Sequence, residues 1–459
     1  MRIEKDTLGP VTLPDDVYYG AQTKRAVDNF PISGLGLPRR FIKAQGTIKL
    51  AAARANGSLG LISKKLLKAI ERASMEVING THDDQFVVDV YQAGAGTSQN
   101  MNANEVIANR AIELLGGAKG DYKLIHPNDH VNMAQSTNDT IPTSIYMSSY
   151  EAVRDDLVPA LKMLKGALIT KSKEFDRIVK AGRTHLQDAV PIRLGQEFGG
   201  YAGSVNNDLL RLQNASKSLL NLPIGGNALG TGINAHPKFK ICVINEIRKI
   251  TGTNFKGSKN LFEGIQNIYP ALELSAALRG VAVTMTKIAN DIRLLSSGPR
   301  TGFAEIRLPA VQPGSSIMPG KVNPVMAEML NMICYQVMGN DTAVSYATQA
   351  SQLELNVMMP VVAHNLLFSI EILSNGINAF TNKCVAGIEA DVKRCSDYAD
   401  ATLAMATALN PIIGYASAAE VSKEAYKSGK SVKQVAIDKG ILNNVDANRV
   451  LDPCKLTGK

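Results

Sequence analysis

The stretch from residue 268 to residue 297, IYPALELSAALRGVAVTMTKIANDIRLLSS, decides the fold class. Apolar residues recur in it at alternating steps of four and three, at Val281, Met285, Ile288, Ile292 and Leu295. This spacing places them on one face of an α-helix. Ala277, Val283 and Leu294 lie off that face, and a helix that is apolar on several sides is buried on several sides. The stretch therefore predicts a long interior helix of ~30 residues, roughly 45 Å in length.

The same long helical pattern recurs along the chain, and it predicts an elongated bundle of five helices. The other four stretches are 144–175, 194–222, 324–355 and 360–388. Shorter helical segments are predicted before the bundle at 39–58, 64–79 and 102–115, and after it at 390–409, 416–428 and 432–439. Strand signals are scarce, and we expect short extended pieces only near the N-terminus and around 225–234. The sequence therefore predicts an all-α fold.

The charge balance bears on the class of partner. The 459 residues carry 50 Lys and Arg against 41 Asp and Glu, which gives a net charge of +9. These charges are spread along the chain, without the Lys/Arg-rich run that tracks phosphates, so we expect no nucleic-acid partner. A mild positive field suits a small acidic substrate.

The cysteines, the histidines and the apolar runs restrict the class of protein further. Five cysteines form no CxxC pair, which is typical of reduced thiols, so we expect a cytoplasmic protein. The opening residues MRIEKDTLG contain no apolar signal segment, and no apolar run is long enough to predict a membrane span. Six scattered histidines, with no Cys/His cluster, predict no metal site.

Four stretches interrupt the helical pattern with a high density of glycine and polar residues, at 94–102, 126–139, 182–188 and 314–323. Each offers hydroxyl, amide or cationic groups and precedes a helical run. Such loops present backbone N–H groups and a positive helix end, which bind carboxylates. A single loop of this kind is more simply an Asx- or Ser/Thr-capped connection. Four together favour a site for a multiply charged anion.

The stretch 314–323 is the most informative of the four. Ser315 and Ser316 lie between Gly314 and Gly320, and Lys321 follows directly. The two glycines permit a tight turn or a mobile loop. A serine hydroxyl becomes a useful base when backbone donors and a nearby ammonium stabilise its oxyanion. The alternative is that both serines are ordinary hydrogen-bonded loop residues. In the stretch before it, His185 has two candidate carboxylate partners, Asp188 and the distant Glu328.

These stretches resemble the class II fumarase/aspartase superfamily. The eleven residues GSSIMPGKVNP at 314–324 look like its signature. The likeness extends to GAGTSQNMNANE at 94–105, HPNDHVN at 126–132, QSTND at 135–139, GRTHLQDA at 182–189 and KIANDIRLLSSGPR at 287–300. It implies an all-α subunit of three domains, which we place at 1–139, 140–393 and 394–459. It also implies a homotetramer with a twenty-helix core, whose active sites each take loops from three subunits.

The chemistry that the resemblance implies is reversible anti-elimination across C2–C3 of a succinyl compound, which gives fumarate without a cofactor. Negative charge builds up on the carboxylate next to the ionising carbon, so a pocket that binds this aci-carboxylate tightly lowers the barrier. By the same resemblance Ser315 is the general base, and Lys321 and Asn323 bind the reacting carboxylate. Thr184 and His185 bind the other end of the substrate, with Glu328 as the partner of His185.

Further contacts follow from the same resemblance. Substrate binding is implied for Thr97, Ser136, Thr137 and Asn138. His126, Asn128 and Asp129 resemble a second anion-binding loop seen in fumarases.

A few residues bear on whether ammonia or water is eliminated. Ala95 stands where fumarases have a serine that helps to hold the reacting water, and its GAGTS motif is similar to that of aspartases. Thr137, Tyr18 and His130 point in the same direction. In contrast, GRTHLQDA and Gly320 are shared with fumarases, and Met359 replaces a glutamate of the aspartase pattern. The pattern favours elimination of ammonia from L-aspartate, with class II fumarate hydratase as the alternative.

Two other classes of function compete with a lyase. One is a non-catalytic helical scaffold, which an intact set of Ser315, Lys321 and His185 disfavours. The other is a nucleic-acid binder, which the net charge suggests but its even distribution disfavours.

Overall fold

A computed structural model describes residues 1–458 of the chain, and α-helices dominate it. Within these residues the helices α1 to α16 span Ala21–Asn29, Arg39–Ser58, Lys64–Ile78, Thr97–Leu114, Thr137–Ala152, Val158–Glu174, Leu194–Ala215, Phe239–Thr251, Leu261–Gln266, Tyr269–Leu295, Val325–Gln349, Met359–Lys383, Val392–Ala401, Asn410–Ser428, Val432–Asp438 and Asn444–Val450. The strands β1 to β8 span Arg2–Asp6, Gly9–Leu13, Val179–Thr184, Gln187–Arg193, Asn221–Leu222, Lys256–Gly257, Ile306–Arg307 and Glu389–Ala390. The predicted helical class is confirmed.

The five predicted long helices are present. The first is continued through a π-helical turn at Val153–Leu157 that joins α5 to α6, and the others are α7, α10, α11 and α12. On α10 the predicted stripe is buried, with Val281, Met285 and Ile292 at 0% exposure. Val283, which lies off that stripe, is 54% exposed in the single chain. Burial of one face therefore explains why this sequence forms a helix here, and a second apolar face is left open.

The strands differ in part from the prediction. The N-terminal pair β1–β2 is an antiparallel hairpin, as expected near the N-terminus. The prediction of an extended piece around 225–234 is wrong, because that segment forms turns. A second antiparallel hairpin, β3–β4, was not predicted. The polar stretch 182–188 lies at the tip of this hairpin. A search for helical periodicity does not detect a hairpin, so the conformation of this stretch was not predicted.

The chain divides into two compact units, and unit 1 comprises residues 1–158, 210–280 and 335–373. An apolar cluster joins its helices α2, α3 and α4 through buried residues such as Ile70, Val77 and Ile107. The buried carboxylate of Glu105 accepts hydrogen bonds from the N–H groups of Gly20 and Thr23, at 2.8 and 3.1 Å. An acceptor at this end of α1 satisfies N–H groups that the helix itself cannot pair.

Unit 2 comprises residues 159–209, 281–334 and 374–459. An apolar cluster that includes Leu409, Val421 and Val432 holds its C-terminal helices together. In its bundle segments the Tyr201 hydroxyl donates to Asp291 at 2.9 Å. Neither unit is one continuous segment, and the division into domains at 1–139, 140–393 and 394–459 stays a prediction. In residues 1–458 no helix is long and apolar enough to cross a membrane.

The start of α7 gives a testable consequence. A Cβ atom on Gly195 would lie 2.3 Å from the carbonyl oxygen of Ser172 and 2.7 Å from the Cα atom of Asp176. We therefore expect Gly195→Ala to lower the free energy of unfolding by about 1–3 kcal/mol, although alanine is the better helix former. Thermal unfolding measures this. The control is Gly36→Ala, whose Cβ meets nothing closer than 3.8 Å, and equal melting temperatures for the two variants would contradict the expectation.

Candidate functional site

The loop that carries Ser315 closes on itself in unit 2. The N–H group of Gly314 donates to the carbonyl oxygen of Lys321 at 2.8 Å, and the Asn323 side chain donates to the carbonyl oxygen of Gly314 at 2.6 Å. A Cβ atom on Gly314 would lie 2.5 Å from the Lys321 carbonyl oxygen. Glycine is therefore required for this closure, and the closure brings the predicted residues Lys321 and Asn323 back to the start of the loop.

Ser315 receives two backbone hydrogen bonds. Its Oγ atom accepts from the N–H groups of Ile317 at 3.2 Å and Met318 at 2.9 Å. Two N–H donors at one oxygen stabilise negative charge on it, in the manner of an oxyanion hole. The arrangement suits a serine that gives up its proton. Ser316 is exposed and makes no hydrogen bond of this kind among the described residues.

Beside this loop lies a cavity of about 820 Å³ within unit 2. Lys321 and Asn323 line it together with three arginines, Arg293, Arg307 and Arg394. Such a concentration of cations suits an anionic ligand. The arginines were missed by the sequence reasoning. Arg293 lies inside the quoted stretch 287–300, whereas Arg307 and Arg394 carry no motif that could have drawn attention to them.

Thr184 and His185 occur at the tip of the β3–β4 hairpin. Thr184 pairs with Gln187, so His185 and Leu186 form a two-residue turn. Both have left-handed backbone conformations, with φ angles of 56° and 59°. Turns of this kind favour Asn-Gly, and larger residues are held in them only by the surrounding structure. The strain lies at a residue that is predicted to bind substrate.

The exposed imidazole of His185 makes no hydrogen bond with another described residue. Neither of its candidate partners, Asp188 and Glu328, reaches it within unit 2. Glu328 lies in the first turn of α11, where a carboxylate interacts favourably with the helix N-terminus. The pairing of His185 with Glu328 stays a prediction.

Buried charges anchor the base of this hairpin. The carboxylate of Glu305 is fully buried and accepts from the Arg183 guanidinium at 2.9 and 3.0 Å. The Lys180 ammonium lies 3.2 Å from the same carboxylate. The Arg183 guanidinium also lies 4.2 Å from the centre of the Phe303 ring, a favourable cation–π distance. The residue immediately before Thr184 is therefore fixed in place.

Thr97 is the first residue of α4 in unit 1. Ala95 and Gly96 precede it with φ angles of 59° and 82°, and the Ala95 N–H group donates to the carbonyl oxygen of Val357 at 2.8 Å. This turn leaves Thr97 exposed at the N-terminus of α4, where unpaired N–H groups attract anions. The helix begins five residues before the predicted start at residue 102.

Ser136, Thr137 and Asn138 form the start of α5. The Ser136 Oγ atom caps the helix by accepting from the Asn138 N–H group at 3.2 Å, and the Asn138 side chain donates to the Ala228 carbonyl oxygen at 2.8 Å. Asp139 completes a capping box by accepting from the Ser136 N–H group at 3.0 Å. Burial raises the pKa of Asp139, against the opposing effect of its backbone donors. The three predicted residues are thus brought together at one helix end.

A buried ammonium lies behind this helix end. Lys49 on α2 is 1% exposed, and its Nζ atom donates to side-chain oxygens of Asn100, Asn132 and Gln135 at 2.8, 2.9 and 3.1 Å. Burial lowers the pKa of Lys49, while the charge of Asp139 opposes that effect. Lys49 was not singled out by sequence reasoning, because polar residues on a helix are ordinarily exposed. Its three partners lie in the polar stretches 94–102 and 126–139, but none of them was given a role of its own.

The predicted second anion loop is a π-helical turn at Pro127–Val131. The Nδ1 atom of His126 accepts from the N–H groups of Asn128 and Asp129, at 3.2 and 3.3 Å. An Nδ1 atom that accepts hydrogen bonds leaves the ring proton on Nε2. The structure therefore brings His126, Asn128 and Asp129 together. The N–H groups of Asn128 and Asp129, which we expected to bind an anion, instead donate to the His126 ring.

In residues 1–458 no three His, Cys, Asp or Glu side chains form a group that could hold a metal ion.

Comparison with known proteins gives consistent matches over nearly the whole chain. Residues 9–339 match a family model described as "Lyase", and residues 405–458 match one described as "Fumarase C C-terminus". The chain is 46% identical to an aspartate ammonia-lyase of a Bacillus species, covering 100% of this chain and 97% of that protein. It is 51% identical to a class II fumarate hydratase of Halobacterium salinarum, covering 99% and 97%. A solved fumarate lyase:delta crystallin of Brucella melitensis superposes with a TM-score of 0.96 at 47% identity, covering 100% of both chains.

The anchoring of the β3–β4 hairpin is testable by Glu305→Gln. Loss of the carboxylate leaves Arg183 without a counter-charge and leaves Lys180 with Glu197 alone, 3.1 Å from its Nζ atom. We therefore expect the free energy of unfolding to fall by about 3–5 kcal/mol. Thermal unfolding measures the loss. Asp397→Asn, which breaks an exposed ion pair with Lys393, is the control, and we expect a change within about 1 kcal/mol for it. A Glu305→Gln variant as stable as this control would contradict the anchoring role.

Proposed function

The chain belongs to the fumarase/aspartase superfamily of lyases, and we propose that its reaction is the reversible anti-elimination of ammonia from L-aspartate to give fumarate. The observation that carries the proposed chemistry is the pair of backbone N–H groups at the Ser315 Oγ atom. They lower the cost of the alkoxide that removes the C3 proton. Ser315 is the general base in this proposal.

Lys321 and Asn323 then bind the carboxylate next to C3. As the proton leaves, this carboxylate takes up a second negative charge. The Lys321 cation and the Asn323 amide donor then bind it more tightly than they bind the singly charged carboxylate of the ground state. The cavity of unit 2 supports this role, because arginines line it beside Lys321. Expulsion of ammonia from C2 completes the elimination and gives fumarate, which is planar.

The other end of the substrate is assigned to hydroxyl and amide groups. Ser136 and Thr137 each accept a hydrogen bond at Oγ, from the Asn138 N–H group and from the Asn100 side chain. Their own hydroxyl hydrogens are therefore free to donate to a carboxylate. Thr97, Asn138, Thr184 and His185 complete the proposed contacts. His185 acts there with Glu328 as its partner.

The choice of ammonia over water rests on Ala95. This residue is 3% exposed, and its methyl group offers no hydrogen bond where a serine would hold a water molecule. The Asn138 Oδ1 atom accepts no hydrogen bond from a described residue, so it is an acceptor available to an ammonium group. Thr137 adds a methyl group to the same helix end.

Elimination of water from L-malate is the second candidate. The 51% identity to the Halobacterium salinarum class II fumarate hydratase favours it, since this exceeds the 46% identity to the Bacillus aspartate ammonia-lyase. The stretch GRTHLQDA at 182–189 and Gly320 are also compatible with it. A protein of either kind uses the same base and the same carboxylate-binding loop.

The His126 loop is proposed as a second anion site. With Nδ1 as the acceptor, the Nε2 atom of this ring is a donor, and the Asn128 side chain is exposed beside it. Its two capped N–H groups make it a weaker site than an uncapped helix end.

Purified protein should be given L-aspartate and L-malate separately, with fumarate followed by its ultraviolet absorbance. We expect fumarate from L-aspartate and little or none from L-malate. Ser315→Ala should lower kcat by about 10²–10⁴-fold, because it removes the base and little volume. Ser316→Ala is the matched control and should remain active. Rapid turnover of L-malate alone would establish the second candidate, and an active Ser315→Ala variant would assign the base elsewhere.

We also propose that the chain forms a homotetramer through its long helices. Val283, Met332, Tyr335 and Tyr346 on α10 and α11 are 54–66% exposed in the single chain. Glycines on α6, α7, α10 and α11 face open space, namely Gly166, Gly200, Gly203, Gly280 and Gly339. A helix interior glycine costs about 1 kcal/mol relative to alanine, so close approach of another helix is a reason to keep it. The unpaired His185 agrees with active sites shared between subunits.

Light scattering tests the assembly. We expect a mass near four times the 49.2 kDa of one chain. Val283→Glu should reduce it, because a carboxylate buried between helices is strongly unfavourable. Val445→Glu is the control, since Val445 is 76% exposed on α16 outside the long helices. A wild-type mass of one chain at micromolar concentration would refute the tetramer.

All five cysteines are free, and Cys334, Cys384 and Cys395 are buried. Burial raises the pKa of the Cys334 thiol to about 11, which keeps it protonated and unreactive. Unpaired thiols support the proposal of a reducing, cytoplasmic location.

A further inference from the structure

The polar contacts of Lys49 connect it to the proposed substrate-binding residues of unit 1. Its ammonium contacts Asn100 in the first turns of α4, Asn132 just after the His126 turn, and Gln135 just before α5. An ammonium group has three N–H donors and no acceptor. Each of its three hydrogens is therefore used on a side-chain oxygen, so no donor of this buried group is left unpaired.

This contact fixes the orientation of the Asn100 amide. Because Lys49 can only donate, the Asn100 atom that faces it at 2.8 Å is the oxygen. The Thr140 hydroxyl also lies 3.2 Å from this oxygen, although its single hydrogen has a shorter acceptor in the Ser136 carbonyl oxygen, at 2.9 Å. The Asn100 Nδ2 group must then point the other way, where it donates to Asn132 at 3.3 Å and to the Thr137 Oγ1 atom at 3.2 Å. Asn100 is 1% exposed, so no water competes for these positions.

The orientation of Asn100 decides the hydrogen-bonding direction of Thr137. Its Oγ1 atom accepts from Asn100, and no described residue accepts the Thr137 hydroxyl hydrogen. A hydroxyl that already accepts from an amide, itself polarised by an ammonium, is a stronger donor to a further acceptor. The chain from Lys49 through Asn100 to Thr137 thus presents a single proton donor at the start of α5.

We propose that Asn100, held by Lys49, is a positioning residue that fixes Thr137 as a hydrogen-bond donor to a substrate carboxylate. This inference rests on the proposed function, because it assigns one contact of the same dicarboxylate site. It explains why Lys49 is buried so close to the loops without touching the exposed surface. It also gives Asn100 a role that its hidden position on α4 does not suggest.

The test is Asn100→Asp, which keeps the size of the side chain and gives Lys49 an ionic partner. A carboxylate cannot donate, so the Thr137 hydroxyl would turn to donate to Asp at position 100 and present a lone pair outward. We expect KM for the dicarboxylate substrate to rise about 10- to 100-fold, the effect of losing a hydrogen bond to a charged group. The value of kcat should change by less than about threefold, because the lost contact is made equally in the ground and transition states.

A double-mutant cycle with Thr137→Val separates this mechanism from simple charge repulsion. If Asn100 acts through the Thr137 hydroxyl, Asn100→Asp should have almost no further effect on KM in the Thr137→Val background. Repulsion from the added charge would raise KM by the same factor in both backgrounds, and that additive result would overturn the proposal. Thr140→Val is the matched control, because Thr140 contacts the oxygen side of the same amide, and KM should stay within about twofold.

Two further measurements keep the outcomes distinct. If Asn100→Asp does not fold, Asn100→Ala takes its place in the cycle, and additive effects with Thr137→Val would again overturn the proposal. If the wild type turns over neither L-aspartate nor L-malate, the proposed function fails. The same double-mutant cycle is then measured with Kd for succinate, determined by calorimetry, in place of KM. Coupled losses of succinate affinity support the role of Asn100, whereas additive losses, or no succinate binding by the wild type, overturn it.

Discussion

A charge that is removed from water must be surrounded by partners, and this requirement organises the loops of the candidate site. In unit 1 the ammonium of Lys49 donates to three amide oxygens from segments that are distant from it in sequence. In unit 2 the carboxylate of Glu305 is matched by Arg183 and Lys180. Because an unmatched buried charge is strongly destabilising, these segments cannot move apart without a large cost. Within each unit, these buried polar contacts therefore hold the glycine-, serine- and asparagine-rich loops in a fixed conformation against the helices.

The helical framework was predictable because it depends on periodicity. The stripe on α10 and the four other long patterns correspond to helices in the structure, since burial of an apolar face is the main source of helix stability. The start of α4 was predicted too late because Gln99 and Asn100 suggested a loop. They are helical because each polar group has a buried partner. Local propensity contains no information about such partners, which come from α2 and from the start of α5.

The candidate site was predictable to a different extent. Its motifs drew attention to the Ser315 loop, the Ser136–Asn138 helix start and the His126 turn, because glycine and hydroxyl residues are typical of anion-binding loops. The hairpin that carries His185 was not predicted, since β3 lacks a strict alternation and its turn residues are not those of a favoured hairpin. The buried groups Lys49 and Glu305 were also missed. Their importance lies in pairings between distant segments, which a single sequence does not display.

The closed hydrogen-bond network around Lys49 has a consequence for how this sequence can diverge. Lys49, Asn100, Asn132 and Gln135 use nearly all their donors and acceptors on one another and on the neighbouring backbone. A replacement at any one position leaves a neighbour unpaired, so the fitness effect of each substitution depends on the residues present at the other three. Single substitutions in this network are therefore disfavoured, and we expect the four positions to change together rather than one at a time.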